Sequence, residues 1–422
     1  MSYPRTFVAG GLRTAFVRAG TAYGERNAMS LSVEVMRAMK AQQDANGSID
    51  YISWSQVIPD PAISNLAREA MLDAGLDAST PAVTSIMACA SSLAGALHAS
   101  GMMGRGDTHL AMVGGVETMS RMPIALTEAS SVELLKKAKQ NPMSIVESIA
   151  SLTMSDFHLP TKGWTNRITG RSMGEHTEDL AKKFELPRIE QDGVALSSHR
   201  NATHAWQTGF FKDLIVEVDG VKKDNTVRAD TSAQALADLK PVFDRVNGTL
   251  TAGNSSPLTD GAAAVWIADE EGLSRLDPEI AVAEIIDWQL AAVDFQNEGM
   301  LMAPAFAIPR LLARHHLRFD DIALWEIHEA FAAQVLANIR LASDPTFTRE
   351  RLGIEFDFGE FPVDRVNPNG GSLALGHPFA ATGARLLSQT AKWLQDKPTG
   401  TLAVVSICAD GGQGAVALLR RP

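Results

Sequence analysis

Cysteine is nearly missing from this chain: Cys89 and Cys408 are the only two in 422 residues. Two thiols cannot build a disulfide scaffold or a zinc site of the usual multi-cysteine kind, and a reduced, intracellular setting suits them best. No apolar run approaches the roughly 18 residues a membrane span needs. The opening MSYPRTFVAGG has no basic stretch leading into an apolar one, so a cytoplasmic protein is expected. Basic residues are outnumbered, with 38 Lys+Arg against 49 Asp+Glu and a net charge of −11. That balance argues against a general nucleic-acid binder and makes any basic site a local one. A dinucleotide fingerprint is missing too, since GGVETMS lacks the required glycine spacing, and no metal-ligand cluster is visible. What is present is length and a 45 % hydrophobic content, enough for two or three compact units with well-buried cores.

Short apolar segments alternate with longer stretches of helical period, the signature of an α/β protein with buried, largely parallel strands. The pattern predicts strands at 82–87, 110–113, 280–286 and 402–407, and helices at 30–39, 63–74, 91–103 and 382–394, with Gly75 as a helix stop. The two ends of the chain share a layout. Near the N-terminus a helical stretch runs into IDYISWSQV, and later MACASS opens a helix before the strand LAMVGG. Near the C-terminus IPRLLARHHL runs into FDDIALWEIHEAF, and GGSLALGHPFAATGAR opens a helix before LAVVSICADGG. An internal duplication follows. The expected halves are 1–120, completed by about 245–275, and 276–422. Between them 121–244 changes character, with the basic, amphipathic VELLKKAKQ and the polar run VDGVKKDNTVRADTSAQ. An insertion of that length reads as a loop domain over a site, or as an oligomerisation appendage.

Four loops at expected strand ends carry a cysteine or a histidine. Cys89 sits between AVTSIMA and ASSLAGALHASGMM, at a strand-to-helix turn, where the helix N-terminus would lower a thiol pKa toward the reactive range. An inert buried cysteine is the plain alternative. His377 follows a glycine-rich loop containing Gly370, Gly371 and Gly376, with Pro378 next. Cys408 ends the strand LAVVSI before ADGGQG, and His328 with Glu329 ends IALWEI. Together they make a coherent set for nucleophilic acyl chemistry: a thiolate, its base, a second acid/base and an oxyanion donor.

These segments together resemble the thiolase family. RTAF at Arg13, the Cys89 motif, GGVETMS at Gly114, MGEHTEDLAKKF at Met173 and TAGNSSPLTDGAAAV at Thr251 come in the family's order. HEAF at His328, GHPFAATGAR at Gly376 and CADGGQG at Cys408 complete it. The resemblance implies a duplicated five-layer αβαβα fold with an inserted loop domain, and acyl-CoA:acetyl-CoA C-acyltransfer through a covalent acyl-cysteine. Cys89 would be the nucleophile, His377 its base and Cys408 the acid/base at the α-carbon. His328 stands where the family usually has Asn, as in the β-subunits of fatty-acid-oxidation complexes, and favours 3-ketoacyl-CoA cleavage over acetoacetyl-CoA synthesis. Backbone N–H groups of Cys89 and Asp410 would form a second oxyanion site. Asp410 replaces the family's Gly, and a positive φ there would be strained; Ser172 likewise departs from a frequent His.

No permanently bound cofactor is implied; coenzyme A enters as a substrate. By resemblance Arg228 lies at its nucleotide end, Ser256 at the pantetheine and Met300 at the thioester pocket. Lys222 and Lys223 read equally as phosphate contacts or as a solvated surface run. A homodimer or homotetramer, with a hydratase/dehydrogenase subunit as a further partner, is the implied assembly. Two rival readings stand beside this one. A silent acyl-CoA-binding or scaffold subunit gains weight from Asp410, and a decarboxylating ketoacyl synthase is disfavoured by its lack of a second catalytic cysteine.

Overall fold

Apolar runs pair into one mixed sheet in the computed structural model, which describes residues 4–43, 47–141, 143–158 and 165–422. Its main strands are β1 (Thr6–Thr14), β2 (Tyr51–Ser55), β3 (Ala82–Val83), β4 (Leu110–Thr118) and β5 (Thr259–Ala268). They continue with β6 (Val282–Ala292), β7 (Ile322–Ile327), β8 (Leu402–Ala409) and β9 (Gln413–Arg420). The order across the sheet is β7-β8-β9-β6-β1-β5-β4-β2-β3. In the first half β1–β5 and β5–β4 are antiparallel and β4–β2 is parallel. The second half repeats this: β6–β9 and β9–β8 are antiparallel and β8–β7 is parallel. An antiparallel β1–β6 pairing joins the halves. The duplication expected from sequence is therefore a repeat of topology.

Helices fill three layers around the two half-sheets. The helices α1 (Ala28–Lys40) and α2 (Leu66–Asp73) precede α3 (Ser91–Met103), and α4 (Met173–Lys183) and α5 (Arg188–Thr208) follow it. The C-terminal half contributes α6 (Ala303–Arg314), α7 (Ala332–Ala342), the single turn α8 (Ser372–Leu375) and α9 (Thr382–Gln395). Strand alternation sends Leu110 and Met112 of β4 into a core with α1 and α2, and Ala111 and Val113 into another. That second core joins Val8, Val113 and Val265 from one half with Leu324 and Val405 from the other, around Leu93 and Leu97 of α3 and Leu386 and Leu387 of α9. On the far face, Leu311 and Leu312 of α6 and Val335 of α7 pack on Trp325 and Val404. Five layers result, α1/α2, half-sheet, α3/α9, half-sheet, α6/α7, because strands buried on both faces need helices on both.

Most expected elements form, and the differences have local causes. The strand expected over 82–87 stops at Val83, because Thr84 turns its Oγ1 to the Ala67 N–H and to Asn65 Oδ1 at the sheet edge. The helix expected over 63–74 starts at Leu66, capped by the Asn65 side chain, and Gly75 beyond it has φ +73 as a helix stop requires. The 21-residue α5 has no counterpart in the sequence reading. Among the described residues no helix is long and apolar enough to cross a membrane.

By contacts the chain divides into a large unit, 1–120 with 173–422, and a small one, 121–172. The segment read from sequence as one insertion, 121–244, thus divides at Ser172. Residues beyond it join the large unit because their apolar faces are buried there: Leu180 and Ala181 share a core with α6, and Ala202, Ala205 and Phe211 pack on Ala374 and Leu375. The small unit holds the helices Glu128–Gln140 and Ser144–Ala150 and pairs Ala125–Leu126 with Phe157–His158. Thr127 caps the first helix by accepting from the Ser130 N–H.

Candidate active site

Cys89 is delivered by a strained turn. Ala88 before it has φ 45, a conformation that a residue with a Cβ adopts at a cost of about 1–2 kcal/mol and that recurs at functional sites. Two residues on, α3 begins. Its partner α9 lies unusually close, because Gly383 offers no side chain: a Cβ there would stand 2.4 Å from the Leu93 nitrogen. The Ala384 N–H donates to Ser92 Oγ at 2.9 Å, locking the two N-termini together. His377 enters just ahead of α9 on Gly376, whose φ of +97 suits glycine, and the His377 N–H donates to Thr259 Oγ1 at 2.8 Å.

The result is a direct contact between His377 Nε2 and Cys89 Sγ at 3.1 Å. The other ring nitrogen, Nδ1, lies 2.7 Å from Thr382 Oγ1, whose hydroxyl donates to the Pro378 carbonyl. Thr382 therefore accepts from Nδ1–H, leaving the Nε2 lone pair toward the thiol. Burial pulls His377 down to about 3, with Arg385 adding to the effect. Burial pushes the Cys89 thiol up to about 12, reinforced by the charges of Asp410 and Glu117. The low thiol pKa expected from the helix N-terminus is thus overturned: desolvation outweighs it, and the resting pair is neutral thiol and neutral imidazole.

Backbone donors converge on the same sulfur, the N–H of Cys89 itself and that of Asp410. Asp410 lies outside the positive-φ set, and the left-handed turn after it is made by Gly411 and Gly412, so the strain considered for this substitution does not arise. Its carboxylate does raise the thiol. Glu117, wholly buried on β4, accepts from the N–H groups of Val57, Ile58 and Ala380, and burial raises it to about 7.

Cys408 is the penultimate residue of β8, buried among Met300, Leu301 and Ala330 with Met173, Phe295 and Phe331 at the margin. Burial, then the closeness of Cys89, hold its thiol well above the ordinary value. His328 is also wholly buried, its ring centroid 4.1 Å from that of His377. Its Nδ1 lies 2.8 Å from Ser372 Oγ, and its Nε2 has no hydrogen-bond partner among the described residues. Cys89 Sγ and one ring nitrogen of each histidine fall within 4.8 Å of one another. The arrangement can remove a thiol proton, hold an oxyanion from two sides and exchange a proton at Cys408.

A cavity of about 810 Å³ opens beside these loops, lined by Arg18, His199, Arg228, Ser255, Ser256 and Leu258 among others. Its 255–258 wall runs between the loop after β7 and the loop that carries His377: the Ser256 N–H donates to the Ala330 carbonyl, and Leu258 pairs with His377. Arg228 and Ser256 thus share one cavity, and Met300 lies beside Cys408. Lys222 and Lys223 are not in that lining; Lys222 pairs with Glu217 at 3.1 Å and Lys223 sits over the Trp206 ring. Sequence reasoning missed His199, whose Nδ1 accepts from the Arg228 N–H at 3.2 Å and which burial lowers to about 4. It also missed Thr382, although its place five residues after His377 was a usable signal, and Ser372.

Comparison with known proteins agrees across the whole length. The family model described as "Thiolase, N-terminal domain" matches residues 6–271 and that described as "Thiolase, C-terminal domain" matches 280–421. Among curated proteins, the "3-ketoacyl-CoA thiolase" of Vibrio cholerae is 35 % identical over 98 % of this chain and 97 % of its own. That of Yersinia enterocolitica is 34 % identical over 98 % and 96 %. Among solved structures, the acetyl-CoA acetyltransferase of Bacillus anthracis superposes with a TM-score of 0.82 at 29 % identity, covering 99 % of both chains.

Proposed function

The chain belongs to the thiolase family, and from that premise we propose that it cleaves 3-ketoacyl-CoA with coenzyme A to acetyl-CoA and a shortened acyl-CoA. The single observation that carries the reading is the 3.1 Å contact of His377 Nε2 with Cys89 Sγ in a site that also holds a second thiol, Cys408.

The steps follow from the groups present. His377 Nε2 takes the Cys89 proton as the sulfur attacks the 3-keto carbon, and the resulting alkoxide is held by the N–H groups of Cys89 and Asp410. The bond between Cα and Cβ then breaks, leaving an acyl group on Cys89 and the enolate of acetyl-CoA, whose oxygen His328 Nε2 faces. Cys408 gives its proton to the enolate carbon. As acetyl-CoA leaves, the Cys408 thiolate takes the proton of incoming coenzyme A, whose sulfur attacks the acyl-cysteine. Cys89 departs with the proton stored on His377. With both histidines and both thiols neutral at rest, the first transfer starts from uncharged groups, and the alkoxide forms where N–H donors await it.

Arg228, Ser256 and the 810 Å³ cavity are proposed to hold coenzyme A, Arg228 at the nucleotide end. A backbone donor at Asp410 directed at the sulfur speaks against a silent scaffold, and Cys408 against a decarboxylating synthase. We further propose a homo-oligomer, since Val83 and Ile86 stand 45 % and 57 % exposed on the edge strand and turn that lead to Cys89. The deciding experiment is thiolysis of a chain-length series of 3-ketoacyl-CoA, with intact mass of the trapped acyl-enzyme. Loss of thiolysis and of the adduct in Cys89→Ala is expected; retained thiolysis in that variant overturns the proposal.

A further inference from the structure

We infer that Ser372, backed by the buried Arg385–Glu326 pair, is a positioning residue that keeps the His328 proton on Nε2, so that an N–H and not a lone pair faces the reaction site. The inference deepens the proposed function and takes from it the enolate that this donor would serve.

Hydrogen counting leads to it. Among the described residues Ser372 Oγ has two side-chain neighbours at hydrogen-bond distance, Arg385 Nη2 at 2.8 Å and His328 Nδ1 at 2.8 Å. A guanidinium only donates, so Ser372 accepts from Arg385. Among the described residues its one hydroxyl proton then has a single acceptor at hydrogen-bond distance, His328 Nδ1. Were the ring to carry its proton on Nδ1 instead, the serine hydrogen would be buried without an acceptor, a cost of about 1–3 kcal/mol. Nδ1 is therefore the lone-pair nitrogen and Nε2 the protonated one. That Nε2 is wholly buried and has no partner among the described residues, while its ring lies 4.1 Å from the His377 ring.

Arg385 is aimed by Glu326, whose Oε1 accepts from Nη1 at 3.0 Å, with both side chains wholly buried. The same guanidinium, together with His377 and above all burial, keeps His328 neutral. Two hydroxyls thus assign opposite tautomers to two adjacent imidazoles. Thr382 accepts at Nδ1 and makes His377 a base; Ser372 donates at Nδ1 and makes His328 a donor. If both hydroxyls accepted, the site would hold two bases and no side-chain donor for an oxyanion.

Neutron diffraction of the deuterium-exchanged wild-type protein reads the tautomer directly. Deuterium on His328 Nε2, with the Ser372 O–D bond directed at Nδ1, is expected; deuterium on Nδ1 overturns the inference. Kinetics supply the second arm. In Ser372→Ala, cleavage of acetoacetyl-CoA should fall about tenfold to a hundredfold. Exchange of labelled coenzyme A into acetyl-CoA needs only the acyl-cysteine and should fall by less than about threefold. Ser372→Thr, which keeps the hydroxyl, should recover cleavage. Equal loss of both reactions, or no loss in either, refutes the positioning role. A wild-type protein inactive in both reactions would instead refute the proposed function, and the deuterium position would still decide the tautomer.

Discussion

His377 Nε2 and Cys89 Sγ meet at 3.1 Å across 288 positions of sequence, and both groups are neutral where they meet. The thiolate is made on demand, and the pH behaviour of the free enzyme should say so. Inactivation by iodoacetamide, which reports thiolate, should climb by about tenfold per pH unit from pH 7 toward 10 without a plateau. A plateau beginning near neutrality would indicate a preformed ion pair.

The α3–α9 approach makes a second prediction. Gly383→Ala places a methyl group 2.4 Å from the Leu93 nitrogen, so one helix must shift and the Cys89–His377 contact opens with it. Overpacking of this kind costs about 1–3 kcal/mol. A lower midpoint in chemical denaturation should accompany a fall in kcat that exceeds any rise in KM. Unchanged kcat would mean that the two loops are positioned independently of the helices.

Cys408 and Cys89 should separate cleanly by variant. Cys408→Ser should still form acyl-enzyme from acetyl-CoA, seen by intact mass, while exchange of the acetyl α-protons with deuterated solvent, followed by NMR, collapses. If α-proton exchange survives in that variant, another group moves the proton.

His377 also ties stability to pH. Its folded pKa of about 3 lies below the ordinary 6.5, mainly through burial, so between those values the unfolded chain binds a proton that the folded chain refuses. Stability should therefore be full above pH 6.5 and fall as pH drops toward 3, by up to about 1.4 kcal/mol per pH unit from this group. In His377→Gln the denaturation midpoint should vary less steeply between pH 6.5 and 4. Equal slopes in the two proteins would contradict this linkage.

The Arg385–Glu326 pair offers a contrast with surface ion pairs. Both side chains are fully buried and burial raises Glu326 to about 8, so Arg385→Met leaves the Glu326 carboxyl and the Ser372 hydroxyl without their buried donor and should cost about 1–3 kcal/mol, measured by chemical denaturation. Substituting exposed Lys222, which pairs with Glu217, should cost under about 1 kcal/mol.

Much of this site was legible because its chemistry is local. Cys89, His377 and Cys408 each lie in or beside a turn rich in small residues next to an apolar segment, and such patterns show in one sequence. What surrounds them did not show. Burial, which raises Cys89 and lowers His377, is a sum over many distant residues, and it reversed the effect expected from the helix N-terminus. Ser372 and Arg385 meet across thirteen positions from two helices, and Arg385 also reaches Glu326 on β7, a relation that no spacing announces. The boundary at Ser172 was hidden for the same reason, since the buried faces of α4 and α5 find their partners in the C-terminal half.

The repeated topology has one more consequence. Cys89 stands before α3, ahead of β4, and His377 stands before α9, ahead of β8, which are the same station in the two halves. An ancestor assembled from two identical halves would have presented the same side chain twice at this point, face to face across its symmetry axis. The two halves thus place unlike side chains, a thiol and an imidazole, at topologically equivalent corners, and the 3.1 Å contact between them is one that two identical halves could not make.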